Sequence, residues 1–244
     1  MEYGDQIEFE YRMGGLLPDW SYNSGGISKP SDVAHHWDEV SKYYNMPIDG
    51  DVWLEDPLHS SYPPSIAFKA AQMQDKEKAK YFLRRIREMV FLEKKNITKW
   101  EHITAAAIEV GLDTAKLRQD FESKAQLHFQ SDLELAKKLG VRGFPTLIFT
   151  DSLSNQQIVY GFKPYVEFEN AVLKLFPKAI KNTYDTNWEK LFAKYHTLTT
   201  KEFSELSHST MQNSESLLQN LFDKKELKRL VTKNGVLWIV EKIK

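Results

Sequence analysis

The fold of this chain is decided by the stretch Gly140-Val141-Arg142-Gly143-Phe144-Pro145-Thr146-Leu147-Ile148-Phe149. A loop flanked by glycines leads directly into a short apolar strand, and Pro145 stands at its start, where a missing N–H is tolerated. Such a proline is a candidate for a cis peptide bond in a tight turn. Most X–Pro bonds in folded proteins are trans, which by itself favours a proline that only begins a strand. The helix before the loop and the strands and helix after it favour the cis form instead.

Regular elements surround this loop on both sides. A helix that ends at Gly140 precedes it, because glycine commonly closes a helix. A polar turn follows the strand Thr146–Phe149 and leads to a second short strand, Gln157–Tyr160. A further helix follows, with apolar residues at Val166, Ala171, Val172 and Leu175. The order is therefore helix, loop, strand, turn, strand and helix.

The first half of the chain contains one predicted strand and then a long helical region. Residues 6–13 alternate strictly, with Ile7, Phe9, Tyr11 and Met13 on one face, which is the pattern of a strand. Residues 31–139 are mainly helical, and Tyr62–Lys138 is expected to form four or five helices. The sequence Thr98-Lys99-Trp100-Glu101 has the spacing of a capping box at a helix start.

The C-terminal residues 183–244 have a different pattern. Three amphipathic helices are expected, followed by a hairpin with an Asn-Gly turn; the segments are Thr183–Tyr195, Thr200–Ser207, Ser214–Leu227 and Val231–Val240. This order is the outline of a winged helix. The segment carries ten Lys or Arg and eight Asp or Glu, a net charge of +2. A DNA-binding face is usually far more basic, so protein contact or simple packing is favoured over nucleic acid.

Composition narrows the function classes further. The chain has 244 residues, 33 basic and 34 acidic side chains and no cysteine. The balanced charge does not recruit nucleic acid or an anionic membrane. No apolar run of about 18 residues exists, and the acidic start is unlike a signal peptide, so we expect no membrane partner and a cytoplasmic protein. Without cysteine, this chain itself carries no disulfide, cysteine-based zinc site, iron–sulfur cluster or thiol nucleophile.

The segment around Pro145 resembles the second half of a thioredoxin fold, and the helical region resembles the helical insertion of the DsbA family. Further stretches resemble a cytosolic branch described as predicted protein-disulfide isomerases: Met13-Gly14-Gly15-Leu16, His35-His36-Trp37, Met46-Pro47-Ile48-Asp49-Gly50, Trp53-Leu54-Glu55-Asp56-Pro57, Ser60-Ser61-Tyr62-Pro63 and Ala67-Phe68-Lys69-Ala70-Ala71. The resemblance covers residues 5–178. Less specifically, the tail resembles the C-terminal region of the related adaptors that deliver the Spx regulator to the ClpXP protease.

The resemblance implies an α/β fold of thioredoxin type with a helical insertion over residues 31–139. It implies two domains, a DsbA-like domain over residues 1–178 and a winged-helix-like segment over residues 183–244. The family's first strand and its Cys-X-X-Cys helix are missing, and the catalytic pair with them, so no catalytic residue is expected in this chain. That strand lies centrally in the family's sheet. We therefore expect either a further N-terminal piece of roughly 30–40 residues, the size of a strand plus a helix, or a strand from a neighbouring chain in a homodimer.

The resemblance also places a substrate-binding surface on the loop and on segments near the missing dithiol. The candidate residues are Gly143, Phe144, Pro145, Thr146, Ser60, Ser61, Tyr62, Trp53, His36 and Trp37. Phe144 and the strand edge after it would pair with the backbone of a polypeptide. The alternatives are structural: a serine before a proline-initiated helix is first of all a cap, and tryptophans near glycine-rich loops are more often satellite core.

Other chemistries have weaker support. His35, His36 and His59 with Asp49, Asp51, Glu55 and Asp56 include suitable zinc or iron ligands, but their spacing matches no tight motif, so no metal is expected. Ser60 and Ser61 lack the Gly-X-Ser-X-Gly context of a nucleophile. No cofactor motif is present.

Three functional hypotheses remain. The first is a thiol-disulfide oxidoreductase of DsbA type that acts on polypeptides, with the dithiol absent from this chain, so that the chain itself is redox-inactive. The second is a non-catalytic adaptor that binds a partner protein through the Pro145 loop and the C-terminal segment. The third is a glutathione-dependent isomerase of the kappa-transferase type, in which glutathione supplies the thiol.

Overall fold

The computed structural model describes residues 1–21 and 27–240. The helices are α1 Ser31–Tyr44, α2 Val52–Glu55, α3 Tyr62–Gln74, α4 Lys76–Leu92, α5 Trp100–Glu109, α6 Thr114–Phe121, α7 Lys124–Lys138, α8 Tyr165–Leu175, α9 Trp188–Lys194, α10 Thr200–Ser207 and α11 Met211–Asp223. The strands are β1 Thr146–Thr150, β2 Gln156–Tyr160, β3 Thr197–Thr199, β4 Leu227–Thr232 and β5 Gly235–Val240. None of these helices is long and apolar enough to cross a membrane.

The chain forms two compact units. The first combines Met1–Leu16 with Leu127–Tyr184, and the second combines Leu17–Gln126 with Asp185–Lys244, of which 241–244 lie outside the described residues. The first unit ends at Tyr184, and the C-terminal segment shares its unit with the helical region. The division into domains 1–178 and 183–244 stays a prediction.

The first unit is built on the hairpin of β1 and β2. The two strands are antiparallel, with Thr146 opposite Tyr160 and Ile148 opposite Ile158, and α8 packs against β2. Val159, Ala171 and Val172 are buried in this unit. β1 and β2 form a sheet of only two strands within the described part of the chain.

The N-terminal residues of this unit are held at two places. Near the start, the Gln6 amide exchanges hydrogen bonds with the backbone of Ile180: Nε2 donates to the carbonyl at 2.6 Å and Oε1 accepts from the N–H at 2.9 Å. Further on, the buried carboxylate of Asp132 accepts from Nη1 of Arg12 and from the N–H of Met13, both at 3.0 Å. Burial opposes the charge on Arg12, yet the hydrogen bond to Asp132 raises its pKa.

The predicted strand over residues 6–13 is wrong. These residues lie outside any strand, and Phe9 on the supposedly buried face is 58% exposed. Alternation needs a neighbouring strand to become a ladder, and the described residues provide none beside this segment. Its ends are fixed by the side chains of Gln6 and Asp132 instead of by strand pairing.

The second unit contains the helical core and the C-terminal elements. Five helices, α3–α7, lie between Tyr62 and Lys138, so the predicted helical region is confirmed; α3–α6 belong to this unit, and most of α7 belongs to the first. Its largest fully buried side chains include Phe68, Phe82, Met89, Ile103 and Leu117. Cap residues explain the helix starts: Asp75 accepts from two N–H groups of α4, and Asp113 and Thr210 cap α6 and α11.

The C-terminal elements confirm the order of three helices and a hairpin, with β3 added, so that the sheet order is β3-β5-β4. Trp238, Phe192, Phe203, Leu218 and Leu237 are fully buried there. Two predicted details are wrong. The third helix ends at Asp223, because Leu227 begins β4, and the hairpin turn consists of Lys233 and Asn234, since Gly235 already pairs with Thr232.

The capping box predicted at Thr98 and Glu101 is also wrong. The helix begins at Trp100 with Lys99 in the cap position, and the Thr98 hydroxyl donates to Oδ1 of Asn96 at 2.6 Å. A complete capping box forms at Thr199 and Glu202, at the start of α10. Thr98 stands one residue too early for its hydroxyl to reach the free N–H groups of α5.

Candidate functional site

The loop before β1 holds an exposed phenylalanine in a fixed backbone. Phe144 is 48% exposed, and the Phe144–Pro145 peptide bond is cis. The Thr146 hydroxyl donates to the carbonyl of Gly143 at 2.7 Å, and the Pro145 carbonyl accepts from the N–H of Gly161 at 2.8 Å. These two hydrogen bonds tie both ends of the loop to the hairpin. An exposed aromatic ring on a well-fixed loop is a suitable anchor for a partner.

Two glycines make room for the loop. A Cβ atom on Gly143 would lie 2.7 Å from the hydroxyl of Tyr160, and one on Gly14 would lie 1.8 Å from Cζ of Phe144. The segment just before Gly14 is anchored, because the Met13 N–H donates to Asp132. Gly14 therefore lies directly against the Phe144 ring, and any side chain there would displace the ring.

The edge of β1 that faces away from β2 is open. The Pro145 carbonyl points to β2, and backbone groups alternate in direction along a strand, so those of Leu147 and Phe149 point to β2 as well. The N–H and C=O groups of Thr146, Ile148 and Thr150 point to the other side, where the described residues place no strand. An extended polypeptide has the backbone pattern that satisfies such an edge.

Apolar side chains continue from this edge across one face of the hairpin. Ile158 and Tyr160 of β2 are 55% and 56% exposed, and they lie opposite Ile148 and Thr146 of β1. Val159, which points to the other face, is buried. The open edge of β1 and the exposed side chains of Phe144, Ile158 and Tyr160 together form what we call the hairpin surface. It offers backbone hydrogen bonds and apolar contact.

The other six predicted residues lie in the second unit, apart in the chain from the hairpin surface, and are described within that unit. Ser60 and Ser61 bind the backbone of Leu17: both hydroxyls donate to its carbonyl at 3.1 Å, and Oγ of Ser61 accepts its N–H at 2.8 Å. The Ser60 oxygen also accepts from the N–H of Tyr62 at 3.0 Å. Ser61 occupies the cap position of α3 without a side-chain capping bond. Both serines therefore have structural partners.

The aromatic candidates of the second unit are partly buried, except for the exposed His36. Trp53 meets Trp20 edge to face with ring centroids 5.9 Å apart, and Trp37 lies 5.0 Å from Phe91. The indole nitrogens of Trp37 and Trp53 are buried, and no residue among 1–21 and 27–240 accepts a hydrogen bond from either. Tyr62 is the first residue of α3. As substrate-binding residues, all ten candidates stay predictions.

The residues of the hairpin surface offer hydrogen bonds and apolar contact to a partner. The sequence has no cysteine, so this chain by itself cannot form the mixed disulfide of thiol exchange. No group of three or more His, Asp or Glu among residues 1–21 and 27–240 is arranged to hold a metal ion. Sequence reasoning did not single out Gly14, Ile148, Ile158 and Tyr160 as site residues. The alternation of Ile158 and Tyr160 with buried Val159 was the available signal for the last two.

Comparison with known proteins agrees with the fold. The family model described as thioredoxin matches residues 1–170. The cytosolic disulfide reductase DsbM from Pseudomonas aeruginosa superimposes with a TM-score of 0.51 at 20% identity, covering 66% of this chain and 75% of that one. This likeness shows the fold, which is thioredoxin-like with a helical insertion.

Sequence relatives carry one recurrent name. The ClpXP adapter protein SpxH from Halalkalibacterium halodurans is 32% identical, over 98% of this chain and 80% of the relative. SpxH from Bacillus subtilis is 26% identical, over 84% of this chain and 71% of the relative. The alignment with the first of these extends through the C-terminal elements. The chain therefore belongs to the thioredoxin family and is a homologue of the ClpXP adapter proteins SpxH.

Proposed function

We propose that this chain is a non-catalytic adapter that binds a partner polypeptide at the hairpin surface and promotes its degradation by ClpXP. The observation that carries the proposal is the open edge of β1 beside the exposed ring of Phe144, in a chain that has no cysteine. The relatives support it, because they are ClpXP adapter proteins. Binding needs only the groups that the site has, whereas disulfide exchange needs a thiolate.

The partner would bind as an added strand. Backbone groups of Thr146, Ile148 and Thr150 would pair with it, and Phe144 would contact its side chains. Cis-Pro loops in the DsbA family, which the segment resembles, imply the same use of Pro145 and of the edge after it. A cytoplasmic location is part of the proposal, supported by the cytosolic disulfide reductase among the structures of similar fold.

The test is degradation of purified Spx by ClpX and ClpP with ATP, with and without this chain. We expect the chain to accelerate the loss of Spx and the variant Phe144→Ala to reduce that effect roughly tenfold, as expected for an aromatic anchor. Phe176→Ala is the matched control, since Phe176 is 45% exposed and is the cap residue that ends α8. Equal activity of both variants, or no effect of the wild-type chain on Spx, would contradict the proposal.

The second candidate is the family reaction, thiol-disulfide exchange on polypeptides. It is favoured by the thioredoxin-like fold shared with a disulfide reductase. Insulin reduction with dithiothreitol separates the two candidates. The chain of 244 residues is expected to give no rate above the dithiothreitol background, because it contributes no thiol. A rate above background would overturn the claim that this chain is redox-inactive.

A further inference from the structure

A cleft of about 410 Å³ lies within the second unit, away from the residues assigned any role above. It is bounded by the end of α1, the loop after it, the first residues of α10 and α11, and the turn between β4 and β5. Its lining includes Lys42, Asn45, Pro47, Met211, Glu215 and Val236. This volume is in the range of sites that bind small molecules or short peptide segments.

The walls of the cleft are held in place by hydrogen bonds. The side-chain amide of Asn234 donates to the carbonyl of Ile48 at 2.7 Å and to Oδ1 of Asp38 at 2.9 Å. On the other side, the indole of Trp238 donates to the hydroxyl of Thr200 at 2.9 Å. A Cβ atom on Gly235 would come within 2.9 Å of Cβ of Pro47, so the turn lies directly against the loop. The cleft is therefore a fixed feature of this unit.

The charged side chains that line the cleft differ in their pairing from those around it. Nearby, Lys233 lies 2.8 Å from Asp38 and 2.5 Å from Asp51, and Lys201 lies 2.5 Å from Glu205. In contrast, no described residue makes a hydrogen bond or ion pair with the side chain of Lys42, Asn45 or Glu215. The cleft thus offers one cation, one anion and one amide, all available to a ligand.

The lining selects the kind of ligand. Lys42 attracts an acidic group and Glu215 a basic one, while Pro47, Met211 and Val236 provide apolar contact between the polar residues. A polyanion such as nucleic acid would meet the carboxylate of Glu215 and gain little. A polypeptide segment with both charges and an apolar residue complements all of these groups.

We infer that this cleft binds a short segment of the partner polypeptide that carries one acidic and one basic side chain next to an apolar residue. The inference rests on the proposed function, because the partner is the protein that the adapter delivers. It adds a second contact, made by the C-terminal elements together with α1, to the one at the hairpin surface.

The test is the affinity of the full chain for purified Spx, measured by fluorescence anisotropy. We expect the charge reversals Lys42→Glu and Glu215→Lys each to weaken binding about tenfold, and Lys42→Arg to bind like wild type. Lys76→Glu, an exposed lysine at the first residue of α4, is the control for a general change of charge. Thermal unfolding of every variant checks that the fold is kept, because Lys42 and Glu215 are exposed.

The outcomes separate the two proposals. In one outcome, wild type binds Spx and Phe144→Ala weakens that binding, while the two reversals bind Spx within twofold of Lys76→Glu. The cleft inference then fails, and the adapter function stands. If the reversals weaken binding and Lys76→Glu does not, the inference is supported. If wild type does not bind Spx, the proposed function fails and the inference fails with it. Binding of free amino acids in the cleft with no effect of the reversals on Spx would assign the cleft to a small molecule.

Discussion

The guanidinium of Arg84 on α4 donates from Nη2 to Oε2 of Glu202 on α10 at a distance of 2.9 Å. Nε of Arg84 also donates to Oε1 of Glu88 at 2.7 Å, and Thr197 donates its hydroxyl to the same Glu88 oxygen at 2.5 Å. One arginine thus joins the helical region to the C-terminal elements of the same unit. Glu88 is buried, so Arg84 and Thr197 supply the hydrogen bonds that water would otherwise give its carboxyl group.

Replacing Arg84 by methionine is expected to lower the free energy of unfolding by about 2 kcal/mol, because Glu88 and Glu202 both lose the hydrogen bonds of the guanidinium, and Glu88 keeps Arg85 as its cation, at 3.8 Å. The loss stays moderate because 34% of the Arg84 side chain is exposed. Urea denaturation followed by circular dichroism measures it. Lys201→Met breaks the ion pair with Glu205 on the surface of α10 and should cost less than about 0.5 kcal/mol. Equal losses in both variants would contradict a special role for Arg84.

The same network predicts how stability depends on pH. Burial opposes the ionisation of Glu202, yet the hydrogen bonds from Arg84 lower its pKa below the ordinary value. The stabilisation is therefore complete above the pKa of an unfolded glutamate, about 4.3, and is lost as the pH falls through the lower folded pKa. Glu202→Gln should be less stable than wild type at pH 7, and the difference should shrink towards pH 2. Urea midpoints that fall in parallel for the two proteins would disprove this link.

Gly50 is a position where even a methyl group has no room. A Cβ atom there would lie 2.1 Å from the carbonyl oxygen of Ala34, a backbone atom of α1 that cannot swing away. We expect Gly50→Ala to lower the free energy of unfolding by about 3 kcal/mol. Gly4→Ala is the control, since its nearest contact would be 3.8 Å, an ordinary van der Waals distance. Thermal unfolding compares the two, and a neutral Gly50→Ala would show that α1 can shift.

Gly14 and Phe144 are expected to be coupled in partner binding. Gly14→Ala places a methyl group where the Phe144 ring now lies, so it should weaken Spx binding nearly as much as Phe144→Ala does. The double variant should bind no worse than Phe144→Ala alone, because the ring has gone. A double-mutant cycle from fluorescence anisotropy should therefore give a coupling of about 1 kcal/mol. Additive losses would mean that Gly14 acts independently of the ring.

Strand addition predicts an alternating pattern of amide protection. On binding Spx, exchange should slow at the N–H groups of Thr146, Ile148 and Thr150, which face the open edge of β1. Leu147 and Phe149 already pair with β2 and should change little. Amide exchange resolved by NMR gives each position separately. Uniform protection along β1, or none, would exclude an added strand at this edge.

The local pattern predicted much of the fold. The β1–β2 hairpin and α8 were predictable because alternating apolar residues, a polar turn and helical spacing are encoded over ten or so neighbouring positions. The sequence pattern of a capping box, however, occurs at two places and forms the box at only one of them. Thr98 and Glu101 match a capping box that does not form, while Thr199 and Glu202 form one. The first residue of each helix decides this, and tertiary packing fixes it.

The candidate site was predictable in part. The sequence directed attention to Phe144 and Pro145, since a proline at the start of an apolar strand is a local signal. It did not reveal that Gly14 lies against Phe144, because these residues are far apart in the chain and meet only after folding. Ser60 and Ser61 were assigned to substrate, and the structure shows that they also hold Leu17, a contact with no sequence signature.

The sequence by itself determined most of the helices, the β1–β2 hairpin after Pro145 and the absence of a thiol, because these depend on composition and short-range spacing. Only the tertiary structure decided that residues 6–13 form no strand, since a strand requires a partner. It also decided that the C-terminal elements join the helical region through Arg84 and Glu202, which are 118 positions apart. Pairing over such a separation depends on the packing of whole helices, and no local pattern of residues specifies it.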